Sequence, residues 1–388
     1  MKIILLADAI NPPLTGIGHY ALRLARGLRQ HPDVEALRFF AGYRWVEDAE
    51  QALTTNQPIA AIRKRVPLRT LAALTYSVLQ RQLFRQLSRG MKDHLTHSPN
   101  YILPPCPGPA VATFHDLSHL HYPQHHPRDR IAYLNRWLPG SIQRATQLIT
   151  VSEFVRQEVH TLLGVPLEKI TCVYNGVAPD FHPRSAAQTA ATLARYGLEP
   201  GRYLLSVATL EPRKNLDRLA QAHNRLPAEL RQNWPLVLIG ASGWLTESLE
   251  HTLAPLEQRG QVRRLGYTPQ DDLHCLYAGA GAFAYPSLYE GFGLPVLEAM
   301  CSGIPVLTSS RSSLPEVAGD AALLIDPEDV DAITAGLERL LTDTAWRTAA
   351  VARGLQQSSR FSWTRCVEET VAVYRKALGS NGSAGSAA

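Results

Sequence analysis

The stretch Tyr285-Pro-Ser-Leu-Tyr-Glu-Gly-Phe-Gly-Leu-Pro-Val-Leu-Glu-Ala-Met-Cys-Ser-Gly-Ile-Pro-Val306 holds one complete structural unit. An apolar strand ends at Tyr285 and a glycine-containing loop follows. A helix then opens near Leu294 with Pro295 in its first turn, where the missing N–H has no partner to lose. The next apolar strand begins at about Ile304. Strand, loop, helix and strand in so short a span is the repeat of a parallel sheet with crossover helices. The loop Glu290-Gly291-Phe292-Gly293, running into Leu294, presents backbone N–H groups at a helix N-terminus, a geometry that attracts anionic or polar oxygens.

Outward from this unit the same rhythm runs twice along the 388 residues. In the first half strands are expected at 2–7, 34–40, 110–114, 147–151 and 170–174, with helices over 18–30, 70–90, 128–145 and 153–163. In the second half strands fall near 202–207, 235–240, 261–265, 281–285, 304–308 and 322–325, with helices at 215–226, 246–258, 270–279, 294–302 and 329–341. The chain is long for one core and suits two. Pro179, Pro183, Pro200 and the small residues from Ser185 to Thr192 mark the join, giving domains at 1–183 and 184–361. A helix at 362–378 follows the second domain and is expected to cross back to the first. The tail 379–388 has nothing to bury and is expected to be disordered.

Composition narrows the class. Five scattered cysteines with no C-x-x-C pair suggest neither a disulfide framework nor a zinc site, and fit a cytoplasmic location. The apolar start stops at Asp8, too soon for an export signal, and reads as a buried strand. No apolar run approaches the ~20 residues of a membrane span. Residues 1–184 carry 21 Lys and Arg against 13 Asp and Glu, whereas residues 185–388 carry 18 against 21. The basic excess in the first half points to an anionic partner there. Between Ile62 and Lys92 eight cations (Arg63, Lys64, Arg65, Arg69, Arg81, Arg85, Arg89, Lys92) interleave with Leu68, Leu71, Leu74, Tyr76, Leu79, Leu83, Phe84 and Leu87, without an acidic residue. That is a basic amphipathic helix, suited to an anionic membrane surface or to its own sheet.

Four clusters carry chemistry. Glu290 precedes a helix and Glu298 lies about one turn inside it, so both can face one cleft as acceptors for the hydroxyls of a sugar and a ribose. A solvated loop acid with a dipole-favoured helix acid accounts for the same spacing. Arg213 and Lys214 end a loop at the carboxyl edge of a parallel sheet, where such sheets bind ligands, and two adjacent cations there suit a diphosphate. Gly16 and Gly18 follow the first strand and open a helix, permitting close backbone approach to a ligand. The pattern lacks the full dinucleotide fingerprint, since Ala21 is the third position. His115 and Asp116 end another strand, as a capped structural histidine or as site residues. The further histidines at 119, 121, 125 and 126 lie in a Pro-rich, loop-like stretch without thiolates or spaced acids, and no metal site is expected. The pair Asp329 and Asp331 reads as helix N-terminal charge.

Taken together, these stretches resemble the retaining glycosyltransferases of the GT-B fold, specifically glycosyltransferase family 4. Glu290 and Glu298 match that family's E-x7-E signature, and Ala208-Thr-Leu-Glu-Pro-Arg-Lys-Asn215 is similar to its phosphate-binding loop. The similarity extends through Thr15-Gly-Ile-Gly18, Val151-Ser-Glu153, Tyr174-Asn-Gly-Val177, Leu265-Gly-Tyr267 and Ser312-Ser-Leu-Pro-Glu-Val-Ala-Gly-Asp320. Bacterial O-antigen mannosyltransferases and rhamnosyltransferases are the subgroup it resembles most.

The resemblance implies two doubly wound Rossmann-like α/β domains with a donor and acceptor cleft. By it, Arg213 and Lys214 hold the donor diphosphate, Glu298 the ribose, and Glu290 the transferred sugar, helped by the backbone of Gly291, Phe292, Gly293 and Leu294. His115 contacts the sugar with Asp116 orienting it, Gly16 and Gly18 approach the phosphates, and the backbone near Tyr267 meets the base. Ala208 departs from a position where the family often has Gly. The implied partners are a nucleotide-sugar donor, a GDP-sugar first, and a glycan or lipid-diphosphate-linked acceptor; no cofactor, metal or nucleic acid is expected. Peripheral attachment to the inner face of the cytoplasmic membrane follows from such an acceptor. A UDP- or dTDP-sugar donor, an epimerase or phosphorylase on the same fold, and an inactive sugar-nucleotide-binding subunit are the alternatives.

Overall fold

Strand β1 (Lys2–Leu6) is apolar and buried along nearly its whole length, as a strand covered on both faces must be. A computed structural model describes residues 1–12, 14–54, 69–241, 243 and 247–379, the side chains of 69–74 excepted. Within it the chain divides into two compact units: Met1–Gly176 with the segment from Trp363 onward, and Val177–Ser362. The change of unit at Gly176 and Val177 precedes the expected join at 183. The expected disordered tail lies, from residue 380, outside the described residues.

In the first unit β1 is followed by β2 (Ala36–Ala41), β3 (Arg44–Val46), β4 (His94–Ser98), β5 (Ala110–Phe114), β6 (Gln147–Thr150) and β7 (Ile170–Cys172). They form one sheet in the order β3-β2-β1-β4-β5-β6-β7, parallel except for β3, which pairs antiparallel with β2. The strand order reverses direction between β1 and β4. Two of these strands differ from expectation. β3 is a three-residue edge, and β4 reads His-Leu-Thr-His-Ser, a polar sequence for a central strand. Hydrogen bonds make its burial tolerable: His97 Nδ1 lies 2.6 Å from the Tyr374 hydroxyl and Nε2 lies 2.9 Å from Thr113 Oγ1. Burial drives the His97 pKa down to about 3, so the ring is neutral. Tyr374 stands on the helix Trp363–Gly379, whose Cys366, Val367, Val371 and Ala377 join the core beneath β1.

The second unit holds β8 (Leu204–Val207), β9 (Leu236–Ile239), β10 (Val262–Gly266), β11 (Ala282–Tyr285), β12 (Val306–Ser309) and β13 (Ala322–Ile325). All run parallel in the order β10-β9-β8-β11-β12-β13. Each strand lies within two residues of its predicted position. The order reverses between β8 and β11, so the loops that follow those two strands flank the switch point where doubly wound sheets receive ligands. Two longer helices were not anticipated, nor were the short Ala228–Asn233 and Leu314–Ala318. The small-residue stretch expected to be a linker is a helix, Ala186–Arg195, started by a reciprocal capping box between Ser185 and Gln188. The other, Thr344–Ser358, buries Ala350, Gly354 and Ser358, a face too small to register as an apolar stripe. No helix among the described residues is long and apolar enough to cross a membrane.

Candidate active site

The loop after β8 is Ala208–Asn215. It closes in a short 3₁₀ turn, Pro212–Lys214, and passes into the helix Leu216–Arg225 through Asn215, whose backbone is left-handed (φ 59°). Asparagine tolerates that conformation better than most residues. Its side chain donates to the carbonyls of Pro286 (3.0 Å) and Pro327 (2.6 Å), tying together the loops that follow β8, β11 and β13. Arg213 and Lys214 are thereby fixed beside the loop after β11.

That loop brings up Glu290. Its Oε1 accepts from Lys214 Nζ at 2.7 Å, from the Tyr285 hydroxyl at 2.9 Å and from Ser287 Oγ at 2.6 Å. Arg213 stands 3.3 Å from Oε2. Burial alone would raise the carboxyl pKa, but the Lys214 and Arg213 charges outweigh it and hold the group at about 2. Arg213 also donates to Glu211 Oε1 (2.6 Å) and to the Tyr289 carbonyl (2.6 Å). Glu211, Arg213, Lys214 and Glu290 thus form a nearly buried group of two acids and two bases. The sequence suggested that the Arg213 fork was held for a diphosphate; here it faces three acceptors of its own unit.

Glu298 has different company. It lies one turn into the helix Leu294–Cys301 and accepts from the Tyr277 hydroxyl at 2.9 Å. Burial without a cation drives its pKa up to about 7, against the effect of that hydrogen bond. The two carboxylates of the signature are therefore unlike, one locked as an anion and one poised near neutrality. The helix that carries Glu298 starts at Gly293 (φ 115°) with no side-chain cap, leaving its first turn to offer backbone donors.

At the carboxyl end of β10 a concavity of about 330 Å³ is lined by Leu210, Leu238, Gly240, Arg264, Leu265 and Gly266. A Cβ on Gly240 would come within 1.9 Å of the Ala208 carbonyl oxygen, so the close approach needs glycine at 240. Ala208 is accommodated. Tyr267, at the rim, is 69% exposed.

In the first unit, His115 and Asp116 follow β5. His115 Nε2 lies 2.7 Å from the Pro99 carbonyl, which can only accept; Nε2 therefore carries the proton and Nδ1 the lone pair. Burial lowers its pKa, keeping the ring neutral. Asp116 Oδ1 accepts from the hydroxyls of Tyr101 (3.2 Å) and Ser118 (2.8 Å), and from the Ser118 N–H (3.1 Å). Gly16 opens the helix Gly16–Gln30 and a Cβ there would meet open space. Gly18 has a structural reason of its own, since a Cβ would crowd Ala9 O and Leu14 at 2.9 Å. The later histidines pair locally, His121 with Glu158 (2.6 Å) and His126 with Ser118 (3.0 Å).

Sequence reasoning singled out Arg213, Lys214 and Glu290, which meet, but passed over Glu211, Tyr285, Ser287 and Tyr277. Three of those four lie within or beside the quoted motifs, and their role shows only in three dimensions. Residues 14–181 match the family described as Glycosyltransferase Family 4, and residues 194–357 match Glycosyl transferases group 1. The O-antigen chain mannosyltransferase B of Escherichia coli is 40% identical over 382 residues, covering 97% of this chain and all of that one. Among solved structures, sucrose-phosphate synthase from Thermosynechococcus elongatus superposes with a TM-score of 0.76 at 18% identity, covering 98% of this chain and 100% of the other. WaaG, a glycosyltransferase involved in lipopolysaccharide biosynthesis, gives 0.72 at 18% identity over 96% and 99%. At such identities the structural likeness speaks for the fold.

Proposed function

Because the chain belongs to the GT-B glycosyltransferases, we propose that it moves a hexosyl group of mannose or rhamnose type from a GDP-sugar to a lipid-diphosphate-linked or polysaccharide acceptor in bacterial O-antigen synthesis. Transfer proceeds with retention and without a metal. The observation that carries this reading is the junction of Lys214, Arg213 and Glu290 at the switch point of β8 and β11. Departure of a nucleoside diphosphate requires its charge to be met as it forms, and two fixed cations with helix-terminal N–H donors do so without reorganising. They take the place that a divalent ion holds in metal-dependent transferases. Glu290 Oε1 already accepts three hydrogen bonds, which suits a carboxylate that binds sugar hydroxyls rather than one that attacks the anomeric carbon. Attack from the same face as the departing phosphate then gives retention.

The alternatives differ in the donor. Thermal-shift and transfer assays against GDP-, UDP- and dTDP-hexoses separate them. GDP-mannose or GDP-rhamnose should stabilise the protein and be consumed with an acceptor, giving an α-linked product. Turnover of a UDP- or dTDP-sugar alone would overturn the donor assignment, and binding without turnover would favour an inactive binding subunit.

A lipid-linked acceptor calls for an anionic membrane surface on the cytoplasmic side, and the helix Arg69–Leu87 supports one. Val78, Leu79 and Leu87 are exposed on it, and the cations Arg85, Arg89 and Lys92 are exposed on and just after it. Arg81, expected among the lipid-facing cations, is instead drawn inward: its guanidinium lies 4.2 Å over the Trp137 ring and donates to the Leu103 carbonyl. Phe84 is likewise core. Arg63, Lys64 and Arg65 lie outside the described residues.

A further inference from the structure

Tyr20 stands on the helix Gly16–Gln30, two residues past Gly18, and is buried. Its hydroxyl lies 3.1 Å from Thr113 Oγ1, and its ring meets the His115 ring at 4.8 Å between centroids and 81° between planes. Side chains alternate along a strand, so Thr113 and His115, two residues apart across the end of β5, fall on the same side. One tyrosine spans both.

Thr113 does not hold that hydroxyl alone. The same Oγ1 meets His97 Nε2 at 2.9 Å, and His97 Nδ1 meets the Tyr374 hydroxyl at 2.6 Å. A line of hydrogen bonds thus runs from the helix Trp363–Gly379 through β4 and β5 to Tyr20, and each of its four side chains can both give and take a proton. Thr113, His97 and Tyr374 are fully buried. A broken link would strand a polar group away from water, which holds the line in one arrangement. Trp363, on the same last helix, closes on the Tyr20 ring at 6.2 Å.

At the other end, His115 has one polar atom left to use. Its Nε2–H is spent on the Pro99 carbonyl, so only the Nδ1 lone pair can meet a ligand, and the direction of that lone pair turns with the ring. The bond to Pro99 holds one atom and leaves the ring a pivot. The Tyr20 ring and the Tyr101 ring, which stands 6.3 Å away at 80°, oppose it.

We infer that Tyr20 is a positioning residue that sets the direction of the His115 Nδ1 lone pair, and that its own placement is fixed from the last helix through Tyr374, His97 and Thr113. This rests on the glycosyltransferase reading, in which His115 contacts the transferred sugar.

Steady-state kinetics of the full chain test it, with the nucleotide sugar that the wild type turns over. KM and kcat are measured for Tyr20→Phe, Tyr374→Phe, His115→Ala and the two doubles with His115→Ala. Tyr20→Phe keeps the ring but releases its anchor, and should lower kcat about tenfold with KM within about twofold, since a misaimed group costs rate more than binding. Tyr374→Phe acts from the far end of the line and should lower kcat about threefold. Both losses should vanish in the His115→Ala background, where no ring remains to be aimed. Lower stability with kcat unchanged, or a kcat loss that persists in full without His115, would overturn the inference and leave the proposed function standing. Should Tyr20→Phe fail to fold, Thr113→Val is compared with Thr113→Ser, which keeps the shared hydroxyl and should lose less; equal losses would overturn it. Should His115→Ala retain no measurable rate, the nitrogen NMR signals of the His115 ring decide: both Phe variants should shift Nδ1, and unchanged signals would overturn the inference. A His115→Ala enzyme as fast as the wild type would instead refute the role of His115 at the sugar, and this inference with it.

Discussion

Lys214 Nζ lies 2.7 Å from Glu290 Oε1, joining the loop after β8 to the loop after β11 with a nearly buried ion pair. Breaking such a pair strands a charge, typically at about 3–5 kcal/mol, whereas removing both partners is far milder. Lys214→Met and Glu290→Gln should each lower the unfolding free energy, and the double variant should cost less than their sum. Turnover behaves differently: Lys214→Met loses about a hundredfold, and the double variant does not recover it. Urea denaturation and initial rates on the four proteins give the answer. Additive stability losses would mean that the pair is not coupled.

Glu211, Arg213, Lys214 and Glu290 balance to zero charge before any ligand arrives. Glu290→Gln leaves an extra positive charge beside the proposed diphosphate position. Affinity for the free nucleoside diphosphate should rise several-fold while transfer falls by about a hundredfold or more. Weaker nucleoside diphosphate binding in this variant would show that the carboxylate does not oppose the phosphates.

Glu298 makes stability depend on pH in an unusual direction. Its carboxyl keeps a proton up to about pH 7 in the folded state, but releases it near 4.5 when unfolded. Between those values the folded chain binds more protons, so stability falls as pH rises, by at most about 3 kcal/mol. The contribution is complete below pH 4.5 and gone above pH 7. Glu298→Gln should therefore raise Tm at pH 8 and change it little at pH 5. An equal Tm shift at both values would contradict the raised pKa.

Chelation should leave transfer unaffected if, as proposed, Arg213 and Lys214 supply the positive charge that meets the diphosphate. Rates are compared in excess chelator and then with added Mg²⁺ or Mn²⁺. Activity lost to chelator and restored by metal would refute the metal-independent scheme.

Vesicle flotation tests the membrane surface. Binding should require anionic lipid, weaken as salt rises, and drop when Arg85 and Arg89 become Gln, each cation contributing about 1 kcal/mol near the surface. Arg81→Gln should act mainly on stability, through lost stacking on Trp137. Equal binding to neutral and anionic vesicles would dismiss the surface.

The second sheet was legible almost strand for strand because its strands are apolar runs punctuated by Gly and Pro. β4 escaped notice because His94, Thr96, His97 and Ser98 look like a loop, and the partner that His97 finds, Tyr374, lies far along the chain. The helix at 344–358 was missed because small residues pack as well as large ones when the neighbour approaches closely, as Met300 does at Gly354. At the site, residue identities and spacing exposed Arg213, Lys214 and Glu290. Nothing in the spacing told that Glu290 and Glu298 differ in protonation, because the difference lies in the cations that meet Glu290 and not Glu298. Tyr20 stood just beyond a quoted motif without a role, since only the folded chain shows what its hydroxyl and ring touch.

The helix from Trp363 bears on how the protein is made. Tyr374 closes over His97, and Val367 and Val371 fill the core beneath β1, so the first unit draws part of its interior from residues translated after everything else in the described chain. Val177–Ser362, by contrast, is continuous and has all its strands once β13 emerges. On the ribosome the order of maturation therefore runs against the order of synthesis. The second unit can consolidate first, while the sheet around β1 waits with an apolar face uncovered. Through that interval the first unit has the exposure of an unfinished domain, and its protection depends on how quickly the last helix docks.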